Sequence, residues 1–183
     1  MSDNFKIEPL GEHHDRAAFY CGRDPLDQYL RNQAGQAVAK NLAAVFILTP
    51  DGKMIAGYYT LSSYTVKLDE IPEGIAKKLT RMHEVRATLL GRLARSIEFR
   101  GQGIGGVLLA DALKKALQNS AHLASWAVVV DAKDEEAAGF YSQYGFIPLP
   151  SKPNRLFLPM TSIRKMFPQE AEDASATSSS EQA

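Results

Sequence analysis

Four glycines crowd into six residues, Gly101-Gln-Gly103-Ile-Gly105-Gly106, between a strand-like run, Ala87 to Phe99, and a helix-like one, Ile104 to Gln118. A glycine turn between strand and helix lets successive backbone N–H groups point at one spot, because no Cβ blocks the approach. The first turn of the following helix adds donors that have no partner inside the helix, at the positive end of its dipole. The product is a seat for phosphate or diphosphate. The competing reading is a tight turn whose glycines serve only its backbone angles. The P-loop pattern fails, because Val107 and Leu108 follow Gly106 where Lys and Ser/Thr would stand.

Around this turn the chain reads as α/β with a mixed sheet. Phe5 to Leu10 alternates like a short strand. Asp24 and Pro25 open a helix as cap and first residue, and Leu26, Leu30, Ala34, Ala37 and Val38 give it one apolar face. Ala43 to Leu48 and Met54 to Val66 form a hairpin across Thr49-Pro-Asp-Gly52. A short helix spans Glu73 to Leu79. Trp126-Ala-Val-Val-Val130 has the continuous apolar character of a strand covered on both faces. Asp134 caps a helix over Glu135 to Gln143, closed at Tyr144-Gly145. Phe146-Ile147 and Arg155 to Leu158 are closing strands, and Thr161 to Phe167 a last helix.

Composition matters at two points. The single cysteine, Cys21, excludes a disulfide framework within the chain and reads as a small buried hydrophobe. No signal-peptide pattern opens the chain and no run approaches the ~20 apolar residues of a membrane span, so a cytoplasmic protein is expected. The formal net charge is zero, yet residues 170–183 hold four of the 21 acidic residues and no basic one, leaving 21 basic against 17 acidic elsewhere. A domain over 1–168 and a disordered Ser/Ala-rich acidic tail over 169–183 are expected.

The order of elements, the pattern Arg100-Gly-Gln-Gly103-Ile-Gly105 and the segment Ala138-Gly-Phe-Tyr141-Ser-Gln-Tyr-Gly145-Phe146 together resemble the GNAT superfamily of acetyl-CoA-dependent N-acetyltransferases. Cys21-Gly-Arg-Asp-Pro-Leu-Asp-Gln-Tyr-Leu30, Gly57-Tyr-Tyr-Thr-Leu-Ser62, Leu90-Gly-Arg-Leu-Ala94, Val130-Asp-Ala132 and Leu156-Phe-Leu-Pro-Met160 further resemble the acetyltransferase toxins of bacterial type II toxin–antitoxin pairs.

The resemblance implies a GNAT-like, largely antiparallel mixed sheet with helices on both faces and a splayed strand pair forming the acyl-CoA cleft. It implies transfer of acetyl from acetyl-CoA to a primary amine, that of aminoacyl-tRNA, with a ribbon-helix-helix antitoxin as partner and a possible homodimer. The alternatives are a small amine, peptide or protein acceptor, or a non-catalytic acyl-CoA-binding module. By the same resemblance Arg100, Gly101, Gln102, Gly103, Ile104, Gly105 and Gly106 hold the diphosphate of CoA. Leu93, Ala94 and Arg95 offer backbone to its pantetheine arm, and Tyr141 protonates the departing thiolate. Lys77, Lys78, Arg81, Arg86 and Arg92 are candidates for tRNA phosphates, with Arg95 nearby in the same strand. Glu98 is a candidate base by position, with surface charge as its competing reading. His13, His14, His83 and His122 fall in no metal or triad spacing, and no metal is expected.

Overall fold

Alternating and fully apolar runs in this chain condense into one sheet. The computed structural model describes residues 4–79 and 83–173. Seven strands lie in the order β1-β2-β3-β4-β5-β7-β6. They are β1 (Lys6–Pro9), β2 (Ala44–Thr49), β3 (Gly57–Lys67), β4 (Glu84–Arg95), β5 (Ala127–Asp131), β6 (Ile147–Leu149) and β7 (Lys152–Pro159). The helices are α1 (Asp24–Asn32), α2 (Ala34–Ala39), α3 (Glu73–Ala76), α4 (Ile104–Asn119), α5 (Glu135–Gln143) and α6 (Met160–Met166). The chain divides into two compact units, one of Met1–Ser62 with Leu90–Ala112 and one of Ser63–Leu89 with Leu113–Ala183.

In the first unit, β1 pairs antiparallel with β2 and β2 with β3, Phe46 opposite Tyr59 and Ile47 opposite Tyr58. The aromatic side chains suit the pleated surface and stack across strands, Phe46 on Tyr59 at 5.1 Å between centroids. Phe19, Leu26, Tyr29, Leu30, Ala34, Val45, Ile47, Ile55, Tyr58 and Ala94 form its core. Gly57 marks a close approach of backbone and α4. A Cβ there would lie 2.7 Å from Leu108 Cδ1 on α4 and 2.9 Å from the Ala94 carbonyl, so the start of β3 admits no side chain.

In the second unit, β5 pairs antiparallel with β7, and β7 with β6. Val128, Val129 and Val130 are sealed from solvent, as their continuous apolar run foretells. Val66, Ile71, Ala87, Ala127, Val129, Leu149 and Phe157 are its core, with Trp126 stacked on Phe157 at 5.2 Å.

Several expected boundaries shift. The helix expected across 24–38 is two, broken at Gln33, whose φ is −122°. The Arg16 guanidinium lies within 2.8 Å of where a Gly35 Cβ would stand. Asp24 does not cap α1. Arg23 stands at the cap position without capping the helix through its side chain, and Asp27, buried, accepts the Cys21 N–H at 2.8 Å and so organises the turn ahead of the helix. The strand expected to reach Phe99 stops at Arg95. Ser96 donates its N–H to the Ala56 carbonyl, and a 3-10 turn over Ile97–Phe99 follows, with Ser96 Oγ accepting the Glu98 N–H. Residues 168–173, of which 169–173 are expected in the tail, are helical, and the rest of the tail lies outside the described residues.

Candidate acetyl-CoA site

The first unit holds the glycine turn. Gly101 and Gly103 have φ of +78° and +73°, which L side chains rarely adopt. A Cβ at either would meet nothing within 4 Å, so the backbone there is bare on the side a ligand would approach. Helix α4 then starts, Val107 donating its N–H to the Gly103 carbonyl at 3.2 Å. The N–H groups ahead of Val107 belong to the helical turn that has no internal acceptors. Ile104 is buried and anchors the turn, whereas Arg100, Gly101, Gln102 and Gly103 are exposed. A bare, glycine-built helix N-terminus fits a diphosphate.

Leu93, Ala94 and Arg95 close β4 in the same unit, with Ala94 buried. Arg92 lies 3.6 Å over the centre of the buried Tyr29 ring. That stack joins β4 to α1, which Tyr58 also grips by donating its hydroxyl to the Leu26 carbonyl at 2.7 Å. Glu98 is exposed on the 3-10 turn, as expected of surface charge. Cys21 has its thiol pushed up to about 11, first by burial and then by the Asp27 carboxylate, so it is a neutral side chain and no nucleophile.

Glu8, His13 and His14 come together although their spacing gave no warning. The buried His14 accepts the Gly11 N–H on Nδ1 at 2.9 Å, so its proton sits on Nε2, 2.9 Å from Glu8 Oε1. A metal on Nε2 would need that proton removed, and the group is a carboxylate–imidazole hydrogen-bond cluster. Lys6 completes it, 2.9 Å from Glu8. The turn at residues 11–14 brings these groups together, and linear spacing does not report it.

The second unit holds Tyr141. Asp134 accepts the Ala137 N–H at 2.8 Å and fixes the start of α5, as its sequence position predicts. Tyr141 is 7% exposed, wedged between the Phe140 and Phe146 rings at 5.3 and 5.4 Å. Its phenol is pushed up to about 12 by burial. The hydroxyl is therefore protonated at neutral pH. Tyr144 packs on Phe140.

Just ahead of α5, a groove of about 340 Å³ is lined by Asp131, Ala132, Lys152, Pro153, Asn154 and Arg155. Arg155 grips Asp131 through both carboxylate oxygens and also reaches the Tyr64 hydroxyl, and Lys152 pairs with Glu70 at 2.7 Å. The sequence reading did not single these residues out, apart from Asp131 within a motif.

Of the basic candidates in this unit, Lys77, Lys78 and Arg86 are exposed. Lys77 pairs with Glu73, and Arg86 donates to Thr65 Oγ1 and lies 3.8 Å from Glu84. Arg81 lies outside the described residues. Among the described residues, no helix is long and apolar enough to cross a membrane.

The sheet order and the glycine turn that opens α4 fit a transferase that uses an acyl-CoA. Residues 42–148 match the acetyltransferase (GNAT) domain, and the chain belongs to that family of acetyl-CoA-dependent N-acetyltransferases. Gly101, Gly103 and Gly106 also carry the G-x-G-x-x-G spacing found at dinucleotide sites, and the family match makes acetyl-CoA the cofactor.

A Sinorhizobium fredii protein described as "Probable toxin TacT" is 31% identical over 170 residues, 88% of this chain and 94% of its own. The structure of AtaT complexed with acetyl-methionyl-tRNAfMet superposes with a TM-score of 0.84 at 29% identity, covering 90% of this chain and 99% of that one. A tyrosine-to-phenylalanine mutant of AtaT, bound to the C-terminus of the antitoxin AtaR and acetyl-CoA, gives 0.77 at 28% identity, covering 91% and 99%.

Proposed function

We propose that this enzyme acetylates the α-amino group of aminoacyl-tRNA and is the translation-blocking toxin of a toxin–antitoxin pair. The observation that carries the reading is the bare turn at Gly101 and Gly103, opening α4 in the place the family uses for CoA. The aminoacyl-tRNA half is supported by relatives named as toxins and by the tRNA complex of AtaT.

In this reading, backbone amides of residues 101–106 bind the diphosphate, and the Arg100 guanidinium adds a charge-assisted contact. Leu93, Ala94 and Arg95 hold the pantetheine arm by main-chain bonds where β4 splays from its neighbour, and an N–H there polarises the acetyl carbonyl. Acetyl-CoA supplies an activated acyl group whose sulfur needs a proton as it leaves. Tyr141 donates that proton from its hydroxyl, which its burial keeps protonated. The acceptor amine of an aminoacyl ester is a weak base, so water can carry its proton away.

Lys77, Lys78, Arg81 and Arg86 meet tRNA phosphates, with Arg92 contributing from its stack on Tyr29. A ribbon-helix-helix antitoxin restrains the enzyme, a second copy forms a homodimer with it, and both work in the cytoplasm.

The test is incubation with labelled acetyl-CoA and a total charged-tRNA pool. Label is expected in aminoacyl-tRNA and lost on ribonuclease treatment. Label confined to small amines, peptides or proteins would leave the acetyltransferase standing and remove tRNA as its substrate.

A further inference from the structure

Helix α4 carries two successive lysines, Lys114 and Lys115, in the half that belongs to the second unit. The chain returns to them after α6. Phe167 donates its N–H to Ile163 and accepts that of Ala171, each at 3.2 Å, so the backbone coils through residues 168–173. The coil sets Glu170 3.1 Å from the Lys114 ammonium, which lies 5.3 Å over the Phe167 ring. Lys114 in turn holds the Glu170 carboxyl below the usual range. Glu172 and Asp173 complete a run of three carboxylates within four residues, in a chain that is otherwise net basic.

We propose that residues 170–173 are a built-in competitor for RNA, covering the Lys114–Lys115 face of α4 with carboxylates until a tRNA backbone displaces them. The inference rests on the tRNA reading above. Several features fit an exchange of one polyanion for another. The covering group is a run of negative charge, as a phosphate backbone is. Its shown contact with the helix is the Glu170–Lys114 ion pair at the surface, beside the stack of Lys114 on Phe167. Lys114 and Glu170 side chains are 42% and 23% exposed, and an ion pair this open is weak and screened by salt. A neighbouring run of phosphates, which releases counterions as it binds, can therefore take its place. The device keeps the basic face from holding RNA indiscriminately, so that tRNA making other contacts is favoured.

The test uses the full chain with Glu170→Gln, Glu172→Gln and Asp173→Asn together. A control of equal charge change carries Glu12→Gln, Asp24→Asn and Asp69→Asn. Affinity for uncharged tRNA is measured across a salt series, with CoA binding and thermal melting as folding controls.

The first variant is expected to bind about fivefold tighter than wild type at low salt, with a log K against log salt slope steeper by about one to two. The control gains less than about twofold. Lys114→Gln with Lys115→Gln, added to the first variant, removes the gain. In the wild-type background the same lysine pair leaves affinity unchanged, because the face is already covered. Equal gains by variant and control, or none by either, overturn the inference. If wild type still acetylates aminoacyl-tRNA, the proposed function survives that result. Absence of tRNA binding and acetylation in every form sinks both.

Discussion

Tyr141 shows how far one residue's burial shapes its chemistry. Packed between Phe140 and Phe146, it has lost the water that would stabilise a phenolate, and its pKa is pushed up to about 12. A group that stays protonated below that value imposes no alkaline limb on the pH–rate profile through its own ionisation. Tyr141→Phe is expected to lower kcat at least about tenfold, ~1.4 kcal/mol in the barrier, with CoA affinity unchanged. Steady-state kinetics with a CoA titration checks it, and a fully active variant would remove the acid role. The proposal for Tyr141 comes from a contiguous motif and the family it resembles. The Arg92–Tyr29 stack was not legible in the sequence, because it joins residues 63 positions apart that acquire an address only when β4 and α1 have packed. Arg92 looked like a phosphate ligand in the sequence, and in the structure one face of its guanidinium is already spent on an aromatic ring.

At the scale of elements, the turn from β4 into α4 matters most. Two of its glycines need positive φ, and neither is hemmed in by the protein. Gly103→Val is therefore expected to weaken CoA binding at least about tenfold through a strained turn and a side chain in the ligand's space, while leaving the core packing intact. Calorimetric titration of CoA is the measurement, and unchanged affinity would refute the loop's role. Caps show the limits of local reading. Asp134 and Asp24 look equally good as helix starts in the sequence, and only Asp134 caps. Asp27 decides the other case by reaching back to the Cys21 N–H, a choice made by the path of the preceding loop. Gly57 passed as one letter of a motif, yet it is where α4 comes close to β3.

At the scale of the whole molecule, acid stability is the accessible readout. The Glu8 carboxyl is held down to about 2, first by Lys6 and then by His13, with His14 adding to the effect, from an ordinary value of 4.5. Between these values the folded chain binds fewer protons at this site than the unfolded one. The stabilisation is therefore complete above 4.5 and drains away as the pH falls towards 2. Glu8→Gln is expected to lower the melting temperature near neutral pH and to flatten its fall over that acid window. Thermal melts at a series of pH values check both, and a parallel fall in variant and wild type would remove Glu8 from the account.

Sequence alone determined whatever depends on neighbours a few residues apart. The glycine turn, the Asp134 cap and the sealed valines of β5 all follow from local backbone preference and short-period patterning. Tertiary structure decided what depends on chain segments meeting. It broke the first helix at Gln33, ended β4 at Arg95, gathered Glu8 with two histidines and laid an acidic coil on Lys114. The reason is physical. A turn or a cap is stabilised within its own few residues, whereas an ion pair or a ring stack between distant positions exists only after the rest of the fold has brought them within reach.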